Sequence, residues 1–228
     1  KGVLRDVAHH GETKDPKQRK NMTALAIIGS GIAGMTIATL AKNKGYEVHL
    51  FEAMPELGGS MRYLVPEHRM PKEAIIKQIA DVKRGIEVYT NAVIGSTVFV
   101  EELAREFDAV IVATGANKPA FPGIPGESYH GVFSANDILL GVDHGAPCMT
   151  AVVGSTESAL DTSIILAKSG NQVTLVTQKD SPEISPNKKL IDMALRAGVQ
   201  FMVLTEPVAI KGDDKYSVKG IELRQLML

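Results

Sequence analysis

The sequence predicts an α/β protein built on two strand–turn–helix–strand units, and three observations carry that expectation. Residues 26–34 read AIIGSGIAG, a G-x-G-x-x-G set directly behind an apolar, strand-like run and directly before a helix-like one. Residues 107–114, FDAVIVAT, form a nearly continuous apolar run of the kind found in parallel strands covered on both faces. Beyond them the pattern restarts, with an apolar stretch, Gly154, a helical stretch and a second apolar stretch.

Taken in order, residues 1–22 are dense in Lys, His and Asp and read as an arm or linker. His9 and His10 have no third ligand nearby and read as part of a solvated tail rather than a metal site. A strand is expected from Ala24 to Ile28, a helix from Ile32 to Lys44 and a strand from Glu47 to Glu52. Residues 53–71, with three prolines and the Gly58-Gly59 pair, read as loop. An amphipathic helix follows from Lys72 to Lys83 through Ile75, Ile76, Ile79 and Val82. Glu87–Thr90 and Val98–Phe99 suit short strands, and Phe107–Thr114 a central parallel strand that stops at Gly115. A Pro/Gly-rich link spans 118–131. The second unit then reads strand Thr150–Val153, helix Glu157–Lys168, strand Gln172–Val176, helix Lys188–Ala197 and strand Val199–Leu204. The stretch from Val208 to Leu223, with GDDK between its arms, suits a hairpin. The expected division is an arm over 1–22, a first domain over 23–145 and a second over 146–228.

The glycine spacing carries chemistry. Gly29 permits the tight strand-to-helix turn, Gly31 lets backbone approach a pyrophosphate, and Gly34 lets the helix pack close to the strand. Ser30, Ile32 and Ala33 complete the turn, whose helix N-terminus faces phosphate charge. Glu52, followed by Ala53, closes the next strand-like run and can accept a ribose hydroxyl. Both units are therefore read as Rossmann-like dinucleotide-binding folds, and two nucleotides in one chain suggest a nicotinamide brought to a flavin.

Composition narrows the class. The 228 residues are 44% hydrophobic and 22% charged, with net charge −1, which gives no electrostatic footprint for nucleic acid or membrane surfaces. The single cysteine, Cys148, excludes a disulfide framework, a C-x-x-C pair and any four-cysteine cluster within this sequence. It precedes an apolar strand and is expected to be a small buried residue. No run approaches the ~20 apolar residues of a membrane span. The first residues lack both a signal peptide's apolar core and an initiator Met, so a cytoplasmic, processed or partial chain is expected.

From about Ala24 onward the chain resembles flavin-dependent oxidoreductases of the glutamate synthase small-subunit type, with the flavin region of dihydropyrimidine dehydrogenase and adrenodoxin reductase as cousins. GSGIAG matches the family's FAD turn, and GGSMRYLVPEHRMP (58–71) its loop after the ribose acid. DAVIVATGA (108–116) matches its A-T-G segment, GIPGE (123–127) its I-P-G turn, and VVGSTESALD (152–161) its NAD(P) turn. The resemblance implies FAD on the first domain and NAD(P) on the second. It implies that Arg69 meets the FAD pyrophosphate, that Gly58 and Gly59 allow close backbone approach, and that Thr114 and Gly115 pass beside the cofactor. It also implies that the Val93 backbone meets the adenine.

Three departures stand against that pattern. The second fingerprint reads Gly154-Ser155-Thr156-Glu157-Ser158-Ala159, with a β-branched residue in place of the middle glycine. Its following strand ends in TQKD, where Lys179 survives and Gln178 replaces the arginine of NADP-binding members. The family's C-terminal return into the FAD domain, with its G-D motif, is not in the sequence, so a separate chain completing the domain or a fragment is expected. The family's cysteine-rich iron–sulfur segment is likewise missing, which assigns clusters to a redox partner.

The leading expectation is an FAD/NAD(P)H oxidoreductase module that passes electrons to an iron–sulfur or other partner. The flavin would carry the chemistry, so no side chain is assigned as acid, base or nucleophile; His68, His130 and His144 read as surface or loop histidines. The alternative is a non-catalytic nucleotide-binding subunit that scaffolds a redox complex. A single-nucleotide dehydrogenase is disfavoured by the Gly pair and the A-T-G segment, and a disulfide reductase by the lone cysteine.

Overall fold

The computed structural model describes residues 8–10, 23–116, 118–180 and 187–227. The chain divides into two units, Lys1–Asn117 and Lys118–Leu228.

The first unit is a five-stranded sheet with helices on both faces. Its strands are β1 (Ala8–His10), β2 (Ala24–Ile28), β3 (Glu47–Phe51), β4 (Glu87–Thr90) and β5 (Ala109–Val112). Their spatial order is β1-β4-β3-β2-β5. β2, β3, β4 and β5 run parallel, and β1 closes the far edge antiparallel to β4, with His9 opposite Tyr89. Alternation along β2 sets two cores. Leu25 and Ile27 face α1 (Ile32–Asn43) and α3 (Lys72–Lys83), joining Met35, Ala38, Leu50, Ile75 and Ile79. Ala26 and Ile28 face the other way, with Phe51, Tyr89, Val98 and Leu103 of α4 (Val100–Glu106). Between β3 and α3 lies a short helix, α2 (Gly59–Tyr63). The sheet order makes the gap between β2 and β5 the switch point, where open parallel sheets hold their ligands.

The second unit holds a parallel sheet of β6 (Met149–Val153), β7 (Gln172–Val176) and β8 (Gln200–Met202) in that order. α6 (Glu157–Lys168) crosses from β6 to β7, and α7 (Lys188–Arg196) and α5 (Ala135–Leu139) join its core through Leu190, Ala194 and Ile138. β9 (Thr205–Gly212) and β10 (Val218–Gln225) form the expected hairpin.

Six expectations change, the first being that the stretch read as loop over 53–71 holds α2. The strand expected at the centre of its sheet is the edge strand β5, paired with β2 alone among the described residues, and its Val112 is 67% exposed. Its apolar run follows from composition, whereas its place in the sheet depends on what pairs beyond it. No strand forms over Val98–Phe99: Val98 makes an isolated bridge to Ile94 and Phe99 caps α4. Cys148 is exposed, because it precedes an edge strand rather than a covered one. Part of the arm is a strand, since β1 completes the ladder beside β4; the side chains of His9 and His10 lie outside the described residues. Finally, the segment 118–145 groups with the second unit rather than the first. Ile210 N–H donates to the Pro125 carbonyl at 2.8 Å, and His130 bridges Ser217, which fastens this segment to the hairpin.

Candidate cofactor site

At the switch point, each glycine of the first fingerprint answers a different constraint. Gly29 has φ +99°, and a Cβ there would lie 2.8 Å from the Ala113 carbonyl carbon and 3.0 Å from Thr114 Cα. The A-T-G segment thus passes directly over the turn, held by Ala113 N–H donating to the Ile28 carbonyl at 2.8 Å. Gly34 lies so close to the Gly29 carbonyl that a Cβ would overlap it. Gly31 differs: its φ is −68°, and a Cβ there would meet nothing within 4 Å. Neither strain nor packing requires a glycine at 31, and the space beside it is open.

Gly31 is also the N-cap of α1, with no side chain capping it and no acid in the first turn. Ile32 and Ala33 are exposed at that helix start. The first-turn amides, which have no partner within the helix, and the positive end of the helix dipole therefore lie together at an exposed helix start, as an anion site requires.

Glu52 is 7% exposed at the end of β3, and its carboxylate is largely committed. Oε2 accepts the Ser30 amide at 2.9 Å and the Ser30 hydroxyl at 2.5 Å, and Oε1 accepts the Met54 amide at 2.8 Å. Ala53, exposed, lies in the turn this bond closes. Ser30, fully buried, also accepts the Gly58 amide on its Oγ at 3.1 Å. Gly59, with φ +51°, backs onto Gly31 so closely that a Cβ would stand 2.7 Å from Gly31 Cα. The Gly58-Gly59 loop, the fingerprint and the acid are thereby one assembly.

The remaining first-unit residues are placed less tightly. Val93 follows Ala92, whose amide donates to the Glu52 carbonyl at 2.8 Å, but the Val93 amide donates to Thr97 Oγ1 at 2.8 Å within its own turn. Gly115, with φ +73°, leads away from Thr114, and both are exposed. Arg69 is exposed on the turn before α3, its amide donating to the Pro66 carbonyl. Two basic residues that the sequence did not single out sit against the Gly58 loop instead. Arg62 packs against Gly58 and pairs with Glu56, and Lys72 Nζ donates to the Arg62 and Val65 carbonyls at 2.5 and 2.9 Å. A Lys opening a helix behind Pro71 was the available signal, and it is a weak one. Burial, opposed by Arg62 and assisted by the Glu52 charge, raises the Tyr63 hydroxyl above its ordinary pKa.

The second unit repeats the frame. Gly154 has φ +147°, and its amide donates to the Val176 carbonyl at 3.0 Å, as Gly29 donates to the Phe51 carbonyl at 2.7 Å. The helix start differs. The Thr156 hydroxyl caps α6 by accepting the Ala159 amide at 3.4 Å, and Glu157 stands in the first turn beside Ser158, accepting from Asn187 Nδ2 at 3.1 Å. Lys179 is exposed just past β7. Its neighbour Gln178 donates to Glu206, which also pairs with Arg224 of the hairpin. Among the described residues no cluster of three or more His, Cys, Asp or Glu is placed to hold a metal, and no helix is long and apolar enough to cross a membrane.

Comparison with known proteins agrees with this frame. The chain is 29% identical over 214 residues to the beta subunit of an NADP(+)-dependent formate dehydrogenase from Moorella thermoacetica, covering 90% of this chain and 30% of that protein. It is 29% identical to the glutamate synthase [NADPH] small chain of Halomonas elongata, covering 87% of this chain and 45% of that protein. The chain thus spans less than half the length of these relatives. FprA of Mycobacterium tuberculosis, solved in complex with NADPH, superposes with a TM-score of 0.71 at 23% identity, over 90% of this chain and 64% of that one, which shows the shared fold. The profile of the pyridine nucleotide-disulphide oxidoreductases matches residues 23–226, and the chain belongs to that family.

Proposed function

We propose that the chain is the nucleotide-binding module of a flavin-dependent NAD(P)H oxidoreductase, with FAD on the first unit and a nicotinamide nucleotide on the second. The observation that carries this reading is Gly31: a glycine with ordinary φ and open space beside it, at the uncapped start of α1 and next to the buried acid Glu52. The residues present fit the adenosine diphosphate half of FAD. The amides that open α1 would receive the pyrophosphate, Glu52 the adenosine ribose, and the Gly58-Gly59 loop would close over both. Arg69 and the Val93 backbone would complete the contacts, with Thr114 and Gly115 passing alongside. When bound, the flavin would supply hydride acceptance and one-electron release, and the chain's own residues would bind and orient it. In the second unit Gly154 holds the turn, Glu157, Ser158 and Ala159 form the first turn of the helix, and Lys179, exposed just past β7, would meet a ribose 2′-substituent.

Electrons would leave to a redox partner, an iron–sulfur protein being the chemical match for single-electron transfer from a flavin, in a cytoplasmic setting. Two observations support a partner: a relative bears the name of a subunit, and the apolar edge of β5 is unpaired among the described residues. A chain segment or subunit completing the first unit would cover that edge.

The test is the absorption spectrum of the purified protein, before and after anaerobic NADH and then NADPH. Flavin bands that bleach are expected, and the nucleotide that bleaches them is the donor. Protein that binds no flavin from added FAD would overturn the reading. A second reading, a non-catalytic nucleotide-binding scaffold, is favoured by Thr156 and Glu157 at the start of α6; flavin bands that neither nucleotide bleaches would select it.

A further inference from the structure

The geometry points to Ser30 as a positioning residue: its buried hydroxyl fixes the Glu52 carboxylate so that one acceptor direction is left for the 2′-hydroxyl of an adenosine ribose. This rests on the proposal that the first unit binds FAD. A carboxylate offers about four lone-pair directions on its two oxygens. In Glu52 three are used: two on Oε2 by the Ser30 N–H and O–H, and one on Oε1 by the Met54 N–H. Among the described residues, one direction on Oε1 remains without a donor. Glu52 is 7% exposed, so the carboxylate has little solvent with which to exchange these partners.

Ser30 is suited to this role because its hydroxyl is bonded as both donor and acceptor and its side chain is fully buried. Its hydroxyl proton goes to Glu52, and its oxygen accepts the Gly58 amide at 3.1 Å. It touches the acid and the Gly58 loop and has no exposed surface with which to meet a ligand, so its influence on a nucleotide runs through these neighbours, Glu52 carrying the part that distinguishes the ribose hydroxyl. Removing the hydroxyl does not orphan its partners. The Gly58 amide keeps the Ser30 carbonyl at 3.2 Å, and Glu52 Oε2 keeps the Ser30 amide. A Ser30→Ala protein should therefore fold, with one Oε2 lone pair freed and the carboxylate able to turn.

The experiment measures dissociation constants of ADP and 2′-deoxy-ADP by calorimetry for the wild-type protein, Ser30→Ala, Glu52→Gln and the double variant, with apo melting temperatures alongside. Wild type is expected to favour ADP by roughly tenfold or more, the worth of one hydrogen bond to a charged group. Ser30→Ala is expected to narrow that preference to about threefold or less, chiefly by weakening ADP, and to add nothing in the Glu52→Gln background. A Ser30→Ala protein that keeps the wild-type ADP preference, whatever its melting temperature, would overturn the positioning role while leaving the FAD reading intact. Wild-type protein that binds neither ADP nor FAD would overturn both.

Discussion

Gly34 stands directly over the carbonyl of Gly29, with no room for a single added carbon between them. This contact sets how closely α1 approaches β2, and it separates two glycines that a motif treats alike. Gly34→Ala should cost about 1–3 kcal/mol by overpacking, read as a lower denaturation midpoint in urea. Gly31→Ala should stay within about 0.5 kcal/mol of wild type, because its Cβ meets nothing, yet weaken FAD at least about tenfold. If Gly31→Ala binds FAD normally, the open space beside residue 31 is not the pyrophosphate's.

The start of α6 makes the converse prediction. Thr156→Gly removes the β-branched side chain and frees the Ala159 amide it caps. Its stability cost is expected to be below about 1 kcal/mol, since glycine is a tolerated N-cap. NAD(P)H should then bind several-fold more tightly, measured by nucleotide titration against the wild-type chain. Unchanged or weaker binding would show that Thr156 is not the obstacle.

Acid should loosen the β9–β10 hairpin at its turn. The Asp213 carboxyl is held below the ordinary aspartate range, first by the Ser217 amide and then by Lys219. A lowered folded-state pKa means that its stabilising contribution is complete above the unfolded value, near 3.9, and fades as pH falls through the folded value. Asp213→Asn should keep a turn but lose this dependence. Amide exchange of residues 213–218 followed from pH 5 to pH 2 would show a steep rise in the wild type and a shallow one in the variant, after correction for intrinsic rates.

Val112 tests the open edge. At 67% exposed it contributes little to the core, so Val112→Lys should leave the apo stability within about 0.5 kcal/mol of wild type. A charge on an exposed edge strand opposes edge-to-edge pairing. Self-association by light scattering should fall, and a large loss of stability would mean that β5 is covered in solution.

How much of this was legible depended on whether a feature was local. Ala24–Ile28, Ile32–Asn43 and Lys72–Lys83 followed from apolar periodicity, and Glu52 from its distance to the glycines. The hairpin followed from GDDK between two β-type arms. What escaped was decided by partners far along the chain. β5 is as apolar as a central strand, and only the sheet order reveals its edge. α2 follows Gly58, whose φ of +126° belongs to a turn signal, and its five residues are too few to show a period. Ser30 occupies a motif position open to many residues, so nothing in the sequence marks its hydroxyl as the link between Glu52 and Gly58. Arg62 and Lys72 likewise acquire their places from the Gly58 loop rather than from spacing.

The two amide bonds that close the turns, Gly29 to Phe51 and Gly154 to Val176, are alike, although the residues two positions later are Gly31 and Thr156. The leading glycine of each fingerprint therefore answers to folding, whereas the middle position would answer only to a bound nucleotide. Under mutational drift the two would then decay on separate clocks. A repeat that had lost its nucleotide would retain its first glycine for as long as its fold survived, and such a loss would register at positions 31 and 156 rather than at 29 and 154.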